Sequence, residues 1–157
     1  MDKQKIFAIL AKHNIPEYQI TSIFQYGSHV YGTNTEKSDE DYIVVTKPEA
    51  NIDYQSLEEQ NLSFHIYSIE TFQKSINDHK IFAFECLWLP EKCIVKNECV
   101  FTSNIDLSKL RKYISEKASN SWVKAKKKLE VEKDRNIYVG KKSLFHSLRM
   151  IDFGIQI

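Results

Sequence analysis

The order of apolar and polar positions along the chain predicts that helices and strands are mixed over its first two thirds. Apolar residues first recur at intervals of three and four, as in an amphipathic helix, and then form short β-branched and aromatic runs, as in strands. In chain order the pattern predicts a helix over 2–13 ending before Pro16, strands over 19–26, 39–46 and 62–67, a helix over 68–78, an apolar segment over 81–89 and a short strand over 93–96.

The last third of the chain is predicted to be helical. A helix over 106–130 carries an amphipathic stripe that is expected to face a core. The stripe consists of Leu107, Leu110, Ile114, Ala118, Trp122, Ala125 and Leu129. A final helix from residue 141 onward has an apolar side that is predicted to pack and a cationic side opposite it. The apolar side is Leu144, Leu148, Ile151 and Ile155, and the cationic side is Lys142, His146 and Arg149.

The segment QYGSHVYGTNTEKSDEDYIVV combines residues that suit phosphate and metal binding. Gly27 can adopt a positive φ and let the backbone approach a ligand, and Ser28 offers a hydroxyl and a nearby N–H to a phosphate oxygen at a helix start. Asp39 and Asp41 are two residues apart, so on a strand their carboxylates share a face while Glu40 points away. Mg²⁺ prefers oxygen ligands of this kind and leaves positions for substrate phosphates. The segment therefore predicts an open site for a metal ion and a triphosphate.

Charge is distributed unevenly along the chain, although the formal net charge at pH 7 is only +1. Residues 1–108 contain nine Lys or Arg and sixteen Asp or Glu, whereas residues 109–142 contain twelve and four. An acidic segment suits cation binding, and a basic one suits a polyanion such as a nucleoside triphosphate or a nucleic-acid strand. A solvated helix surface is the alternative interpretation of the basic run.

Length and composition favour one compact unit without a membrane or secretion signal. A chain of 157 residues with 42% hydrophobic content can bury a single core, or a small domain with a helical appendage. No apolar run approaches the roughly eighteen residues of a membrane span, and no basic start precedes an apolar segment, so we expect a cytoplasmic protein. The three cysteines lack Cys-x-x-Cys spacing, which argues against a disulfide framework or a zinc site.

The glycine and aspartate motif resembles that of the DNA polymerase beta-like nucleotidyltransferase superfamily, which is Gly-Ser, a linker of about ten residues and Asp-x-Asp. The longer string GSHVYGTNTEKSDEDY is similar to predicted nucleotidyltransferases of bacteria and their phages, some of them associated with RNA repair. The matching residues are Gly27, Ser28, Tyr31, Gly32, Ser38, Asp39 and Asp41. The resemblance implies an α+β fold, with a polymerase beta-like core of a small mixed sheet flanked by helices over 1–100 and a helical segment over 101–157. It also implies that relatives continue beyond residue 157.

The resemblance gives individual residues expected roles. Asp39 and Asp41 are the expected catalytic and metal-binding residues. The expected nucleotide-binding residues are Gly27, Ser28, Tyr31 and Ser38 in the motif and Lys142, His146 and Arg149 in the last helix, where the resembled family has a similar His-x-x-Arg. Active members carry a third carboxylate on a following strand, whereas the strand SFHIY offers Ser63 and His65 there. His65 is the candidate substitute in catalysis, as a proton acceptor or an Mn²⁺ ligand, and a structural role is the alternative.

The implied activity is metal-dependent transfer of a nucleoside monophosphate from a nucleoside triphosphate, expected to be ATP, to an acceptor hydroxyl, with Mg²⁺ or Mn²⁺ as cofactor. Three interpretations stay open, because the fold serves several acceptors. The first is transfer to an RNA or other nucleic-acid end, which the basic segment favours. The second is transfer to a protein or a small molecule. The third is a nucleotide-binding or partner-binding module without catalysis, which the missing third acid favours. A homodimer or a partner subunit would cover the apolar side of the last helix.

Overall fold

The computed structural model of the chain describes residues 2–131 and 136–157. It divides the chain into two compact units, one formed by Met1–Asn77 with Phe82–Ser103 and the other by Asp78–Ile81 with Asn104–Ile157. We refer to them as the sheet unit and the helical unit. The predicted division into separate domains near residue 100 stays a prediction.

Most of the predicted elements are confirmed, and their bounds shift by about two residues before residue 100. The helices are α1 (Lys3–Lys12), α2 (Ser28–Tyr31), α3 (Ile69–Asn77), α4 (Ile81–Leu87), α5 (Leu107–Lys126), which continues into a π-helical turn over Lys127–Val131, and α6 (Ile137–Gln156). The strands are β1 (Ile20–Tyr26), β2 (Glu40–Thr46), β3 (Tyr54–Glu59), β4 (Leu62–Ser68) and β5 (Ile94–Asn97). None of the helices within the described ranges has both the length and the apolar character needed to cross a membrane.

The strands form one five-stranded sheet in the order β3-β4-β2-β1-β5. The pair β2–β4 is parallel, and the other neighbouring pairs are antiparallel. This mixed sheet, flanked by helices, confirms the expected α+β class. Tyr26 lies opposite Asp41 in the β1–β2 ladder, so the end of the first strand meets the beginning of the second.

Each face of the sheet is covered by apolar packing. On one face α1 contributes Ile6, Ile9 and Leu10 to a buried cluster. The sheet residues of that cluster are Ile20, Ile23, Tyr42, Val44, Leu62, Phe64, Ile66 and Val95. On the other face the ring of Phe24 stacks on that of Phe72 from α3, with 6.1 Å between their centroids. Because side chains alternate between the two faces along β2, Tyr42 lies on the first face and Asp41 lies on the second.

The strand β3 was not predicted, because its sequence, YQSLEE, lacks the regular apolar alternation of a half-buried strand. It is an edge strand, and four of its six residues are exposed. Charged and polar side chains are usual at a sheet edge, where they oppose pairing with other chains. The contacts of β3 with β4, rather than its own pattern, make it a strand.

The helical unit corrects the predicted packing side of the last helix. The buried residues of α6 are Gly140, Ser143, Ser147 and Met150, whereas Leu148, Ile151 and Ile155 are 45% or more exposed. Small residues let two helices approach closely, and the hydroxyl of Ser147 is satisfied there because its Oγ donates to the backbone carbonyl of Ala118 at 2.8 Å. The predicted stripe of α5 is also only partly correct, since Leu107 and Trp122 are exposed.

Two adjacent residues of α6 test this packing arrangement. Ser147→Leu should lower the free energy of unfolding by about 1–3 kcal/mol, because it overfills the contact with α5 and removes the bond to Ala118. Leu148→Ser should change it by about 0.5 kcal/mol or less, because that side chain is 57% exposed. Urea unfolding of both variants provides the measurement. A larger loss of stability in Leu148→Ser than in Ser147→Leu would contradict this arrangement and favour the apolar side predicted from sequence.

Candidate active site

The chain reverses direction between β1 and α2 at Gly27, which has φ 74° and ψ −152°. Glycine adopts this conformation readily because it has no Cβ, whereas other residues are strained there. The carbonyl oxygen of Gly27 accepts bonds from the N–H groups of Val30 and Tyr31, at 3.0 and 3.2 Å, and these bonds close the single turn of α2. Gly32, with φ 68°, ends the helix. The hydroxyl of Ser28 and the first N–H groups of α2 therefore lie directly at the end of β1.

The carboxylate of Asp41 lies directly against Gly27. A Cβ built on Gly27 would overlap Oδ2 of Asp41 and would stand 2.8 Å from its Cγ. The antiparallel pairing of Tyr26 with Asp41 creates this approach, because it carries the start of β2 past the turn. The structure thus brings three predicted residues together, namely Gly27, Ser28 and Asp41.

Asp39 and Ser38 lie on the loop that leads into β2. Ser38 closes a turn with Thr35, since its Oγ accepts from the Thr35 N–H at 2.9 Å and its own N–H donates to the Thr35 carbonyl at 3.0 Å. Asp39 follows that turn, is exposed and precedes the first residue of β2 by one position. The structure therefore gives Ser38 a role in shaping the loop, while its predicted contact with nucleotide stays a prediction.

Glu40 is directed to the opposite side from Asp41, as expected. Its Oε2 accepts hydrogen bonds from the Tyr42 hydroxyl at 2.5 Å and from Gln25 Nε2 at 3.4 Å. Tyr42 is buried in the cluster beneath α1. Burial, together with the neighbouring Glu40 carboxylate, raises the pKa of Tyr42 well above its ordinary value. Glu40 is therefore a partner of the core rather than a metal-facing acid.

The position beside Asp41 on the neighbouring strand is held by Ser63. In the parallel ladder Asp41 pairs with Ser63, and Ser63 pairs in turn with Glu58 on the edge strand. Ser63 is buried, so the residue beside Asp41 on this strand carries a hydroxyl rather than a carboxylate. Among the described residues there is no group of three or more His, Cys, Asp or Glu side chains arranged to hold a metal ion.

Glu59, the other acid near this strand, belongs to the α1 side of the sheet. Its two carboxylate oxygens accept from Lys12 Nζ and from His13 Nε2, each at 2.7 Å. The hydrogen bond from Lys12 makes the largest contribution to lowering the pKa of Glu59, and the hydrogen bond from His13 makes the next largest. Its contacts are therefore structural.

His65 lies farther along the sheet than Asp41, because it pairs with Ile43 in the β2–β4 ladder. Its ring stacks on Tyr54, and its Nδ1 is 3.1 Å from the Tyr54 hydroxyl, within hydrogen-bond distance. The structure does not bring His65 together with the two aspartates. The proposed part of His65 in catalysis stays a prediction, and its visible contacts are those of a structural residue.

Tyr31 reaches a residue that the sequence analysis did not select. Its hydroxyl donates to Oε2 of Glu85 at 2.7 Å, and Glu85 on α4 is only 6% exposed. The signal for Glu85 was present in the sequence, because it is the one charged residue within the apolar run IFAFECLWL. A buried carboxylate is costly unless it is bonded, so such a residue usually has a specific task.

The predicted cations of the last helix lie within the helical unit. His146 is half-buried, and its pKa is lowered by burial and by the neighbouring charges of Lys142 and Lys124. Lys124 belongs to α5 and Lys142 to α6, so the two helices bring positive charge together. Arg149 is partly buried farther along α6. Contact of these residues with a nucleotide stays a prediction.

Comparison with known proteins identifies related sequences and structures. A family described as "Nucleotidyltransferase domain" matches residues 5–135. A solved structure of a nucleotidyltransferase-like protein from Exiguobacterium sibiricum 255-15 is similar, with 12% sequence identity and a TM-score of 0.40, over 95% of this chain and 55% of that one. The chain thus spans about half the length of that protein. A search of curated proteins found no match.

Replacing Gly27 by alanine tests the approach of Asp41. Gly27→Ala should displace the Asp41 carboxylate and lower the free energy of unfolding by more than the roughly 1–3 kcal/mol of backbone strain that an alanine has at φ 74° and ψ −152°. Gly32→Ala is the matched control, because Gly32 also has a positive φ but nothing lies within 4 Å of its added Cβ. Denaturant unfolding compares the two variants. Equal losses of stability in the two variants would mean that the Asp41 carboxylate does not restrict the side chain at position 27.

Proposed function

Because the chain belongs to the nucleotidyltransferase domain family, we propose that it transfers a nucleoside monophosphate from a nucleoside triphosphate to an acceptor hydroxyl. The observation that carries this proposal is the Asp41 carboxylate packed against Gly27 at the start of α2. A carboxylate and the first turn of a short helix are adjacent there. ATP is the proposed donor.

The residues of the turn suit the phosphate groups. Ser28 contributes a hydroxyl, and the first N–H groups of α2 have no partner within their own helix. A phosphate oxygen that accepts from these groups would lie close to Asp41, because Gly27 joins the two. In the proposal this contact holds the triphosphate in line with the acceptor, and positioning of this kind is a large part of catalysis in phosphoryl transfer.

The side chains near the turn fit a divalent cation. Asp39 and Asp41 supply hard oxygen ligands, and a site with one or two carboxylates completed by substrate phosphates is the usual arrangement for magnesium. Mg²⁺ or Mn²⁺ held there would neutralise charge on the triphosphate and favour departure of pyrophosphate. Ser63 beside Asp41 adds no charge, and Asp39 and Asp41 are the proposed metal-binding acids.

The proposed acceptor is the end of an RNA or another nucleic-acid strand. Cationic side chains on α5 support this, and they are Lys109, Arg111, Lys112, Lys117, Lys124 and Lys126. Only one acid, Glu116, interrupts them along the helix. A surface of this kind attracts the phosphates of a strand without reading its sequence.

A nucleotide-binding module without catalysis is the second candidate function. The observation that favours it is that Ser63, rather than an acid, lies buried beside Asp41 on β4. The two functions differ in one outcome, because the module binds nucleotide with a metal ion but transfers nothing.

Asparagine substitutions test the two aspartates. Asp39→Asn and Asp41→Asn should each lower nucleotidyl transfer by about 100-fold or more, since each removes a charged oxygen ligand from the site. Transfer is measured with each of the four α-labelled nucleoside triphosphates, Mg²⁺ or Mn²⁺, and RNA, protein and small-hydroxyl acceptors in separate reactions. Glu40→Gln is the matched control, because that acid lies between the aspartates but faces the core.

Each outcome of this experiment has a definite meaning. Label on RNA supports the proposed acceptor, whereas label on a protein or a small molecule replaces it. Full activity in both asparagine variants would reject the site. Metal-dependent nucleotide binding by wild-type protein with no label on any acceptor would favour the non-catalytic module.

Charge removal on α5 tests the nucleic-acid acceptor. Lys124→Gln combined with Lys126→Gln should weaken RNA binding equally for unrelated sequences, because both exposed lysines would contact phosphates only. The slope of log affinity against log salt concentration should fall by about 0.7 for each lysine–phosphate pair that the substitutions remove. Fluorescence anisotropy with single-stranded RNA at several salt concentrations measures both quantities. Lys3→Gln combined with Lys5→Gln on α1 is the control, and an equal effect there would contradict a role for α5.

A further inference from the structure

A part-buried hydrogen bond joins the short helix of the candidate site to α4. The hydroxyl of Tyr31, the last residue of α2, donates to Oε2 of Glu85 at 2.7 Å. Glu85 is 6% exposed, so its carboxylate is almost removed from water. Hydrogen bonds to a charged acceptor are among the stronger ones, and removing one is costly where the acceptor is buried.

The helix α2 needs external support because it has only four residues. A single helical turn fixes several backbone dihedrals in return for few hydrogen bonds, so it does not persist in isolation. Its two ends are both glycines with positive φ, and these residues lose the most conformational freedom on folding. The side chain of Tyr31 supplies support through its hydroxyl and its ring.

The ring of Tyr31 also reaches the strand that carries the turn. It packs edge-to-face on Tyr26, with 5.7 Å between centroids and an interplanar angle of 82°. Tyr26 pairs with Asp41 across the sheet, and Gly27, the next residue, lies against the Asp41 carboxylate. A short path of contacts thus runs from Glu85 through Tyr31 and Tyr26 to Asp41.

We propose that Tyr31 and Glu85 form a positioning pair that holds α2, and with it Gly27 and Ser28, in place beside Asp41. In this proposal the pair acts through the turn rather than by contact with the phosphates or the acceptor. The role assigned here rests on the proposed function, because it concerns the geometry of that same site. It also gives Tyr31 a different task from the nucleotide contact that the family resemblance implied.

Three variants test the pair. Tyr31→Phe removes only the hydroxyl, Glu85→Leu removes the acceptor, and Glu85→Gln keeps a side-chain oxygen that can still accept from Tyr31. Tyr18→Phe is the matched control, because Tyr18 lies in the same unit and is 70% exposed. Thermal unfolding of every variant sets a working temperature at which all are folded.

Two readouts separate positioning from a purely structural role. The first is kcat and KM for the nucleoside triphosphate, and the second is binding of the Mn²⁺–nucleotide complex by calorimetry. Tyr31→Phe and Glu85→Leu should lower kcat about 10- to 100-fold, or weaken Mn²⁺–nucleotide binding about 10-fold, whereas Glu85→Gln should stay within about 3-fold of wild type.

The outcomes distinguish this proposal from the function on which it rests. Lower unfolding temperatures with unchanged kcat and unchanged nucleotide affinity would overturn the positioning role and leave the proposed function intact. Loss of activity in Tyr18→Phe would also overturn it, because the effect would not be specific to the pair. Wild-type protein that neither transfers nor binds nucleotide would overturn the proposed function, and the pair's role with it.

Discussion

The approach of the Asp41 carboxylate to the backbone of Gly27 is the contact on which the candidate site depends. Two constraints act on position 27 at once, because the backbone needs a positive φ and the carboxylate occupies the space of a Cβ. The antiparallel pairing of β1 with β2 supplies the approach, since it sets Tyr26 opposite Asp41. The central strand β2 and its neighbour β1 therefore build the candidate site.

Local chemistry explains why this part of the site could be predicted from sequence, whereas the neighbourhood of Asp41 on β4 could not. The strands β1 and β2 are rich in β-branched and aromatic residues, and glycine and paired aspartates are restrictive residue types. Register, in contrast, is set by non-local pairing, and a shift of one residue exchanges the two faces of a strand. Only the pairing of β2 with β4 shows that Ser63 lies beside Asp41. Only the pairing of β4 with β3 shows that Glu58, rather than Glu59, lies beside Ser63.

Packing in the helical unit depends on residue size as well as on hydrophobicity, because small buried residues of α6 accompany the apolar cluster of Ile81, Leu110, Ile114 and Met150. The apolar periodicity of the last helix selects its largest aliphatic residues, but the contact with α5 uses Gly140, Ser143 and Ser147, which permit a closer approach. Tyr31 and Glu85 illustrate a related limit, because a polar residue within an apolar run has no predictable partner until the fold places one. In both cases the informative residues are those that depart from the apolar pattern.

Ser63, which is uncharged, lies beside Asp41 on β4, and this has an electrostatic consequence for the proposed reaction. Carboxylates that converge without a cation repel one another, and each added acid raises that cost before metal binds. In the proposed site, where Asp39 and Asp41 are the metal-binding acids, part of that cost is avoided, but a free cation would also find fewer ligands. Magnesium accepts such sites when substrate phosphates complete its shell. Under the proposed function, cation and triphosphate would therefore bind together at the turn, where the Asp41 carboxylate lies against Gly27.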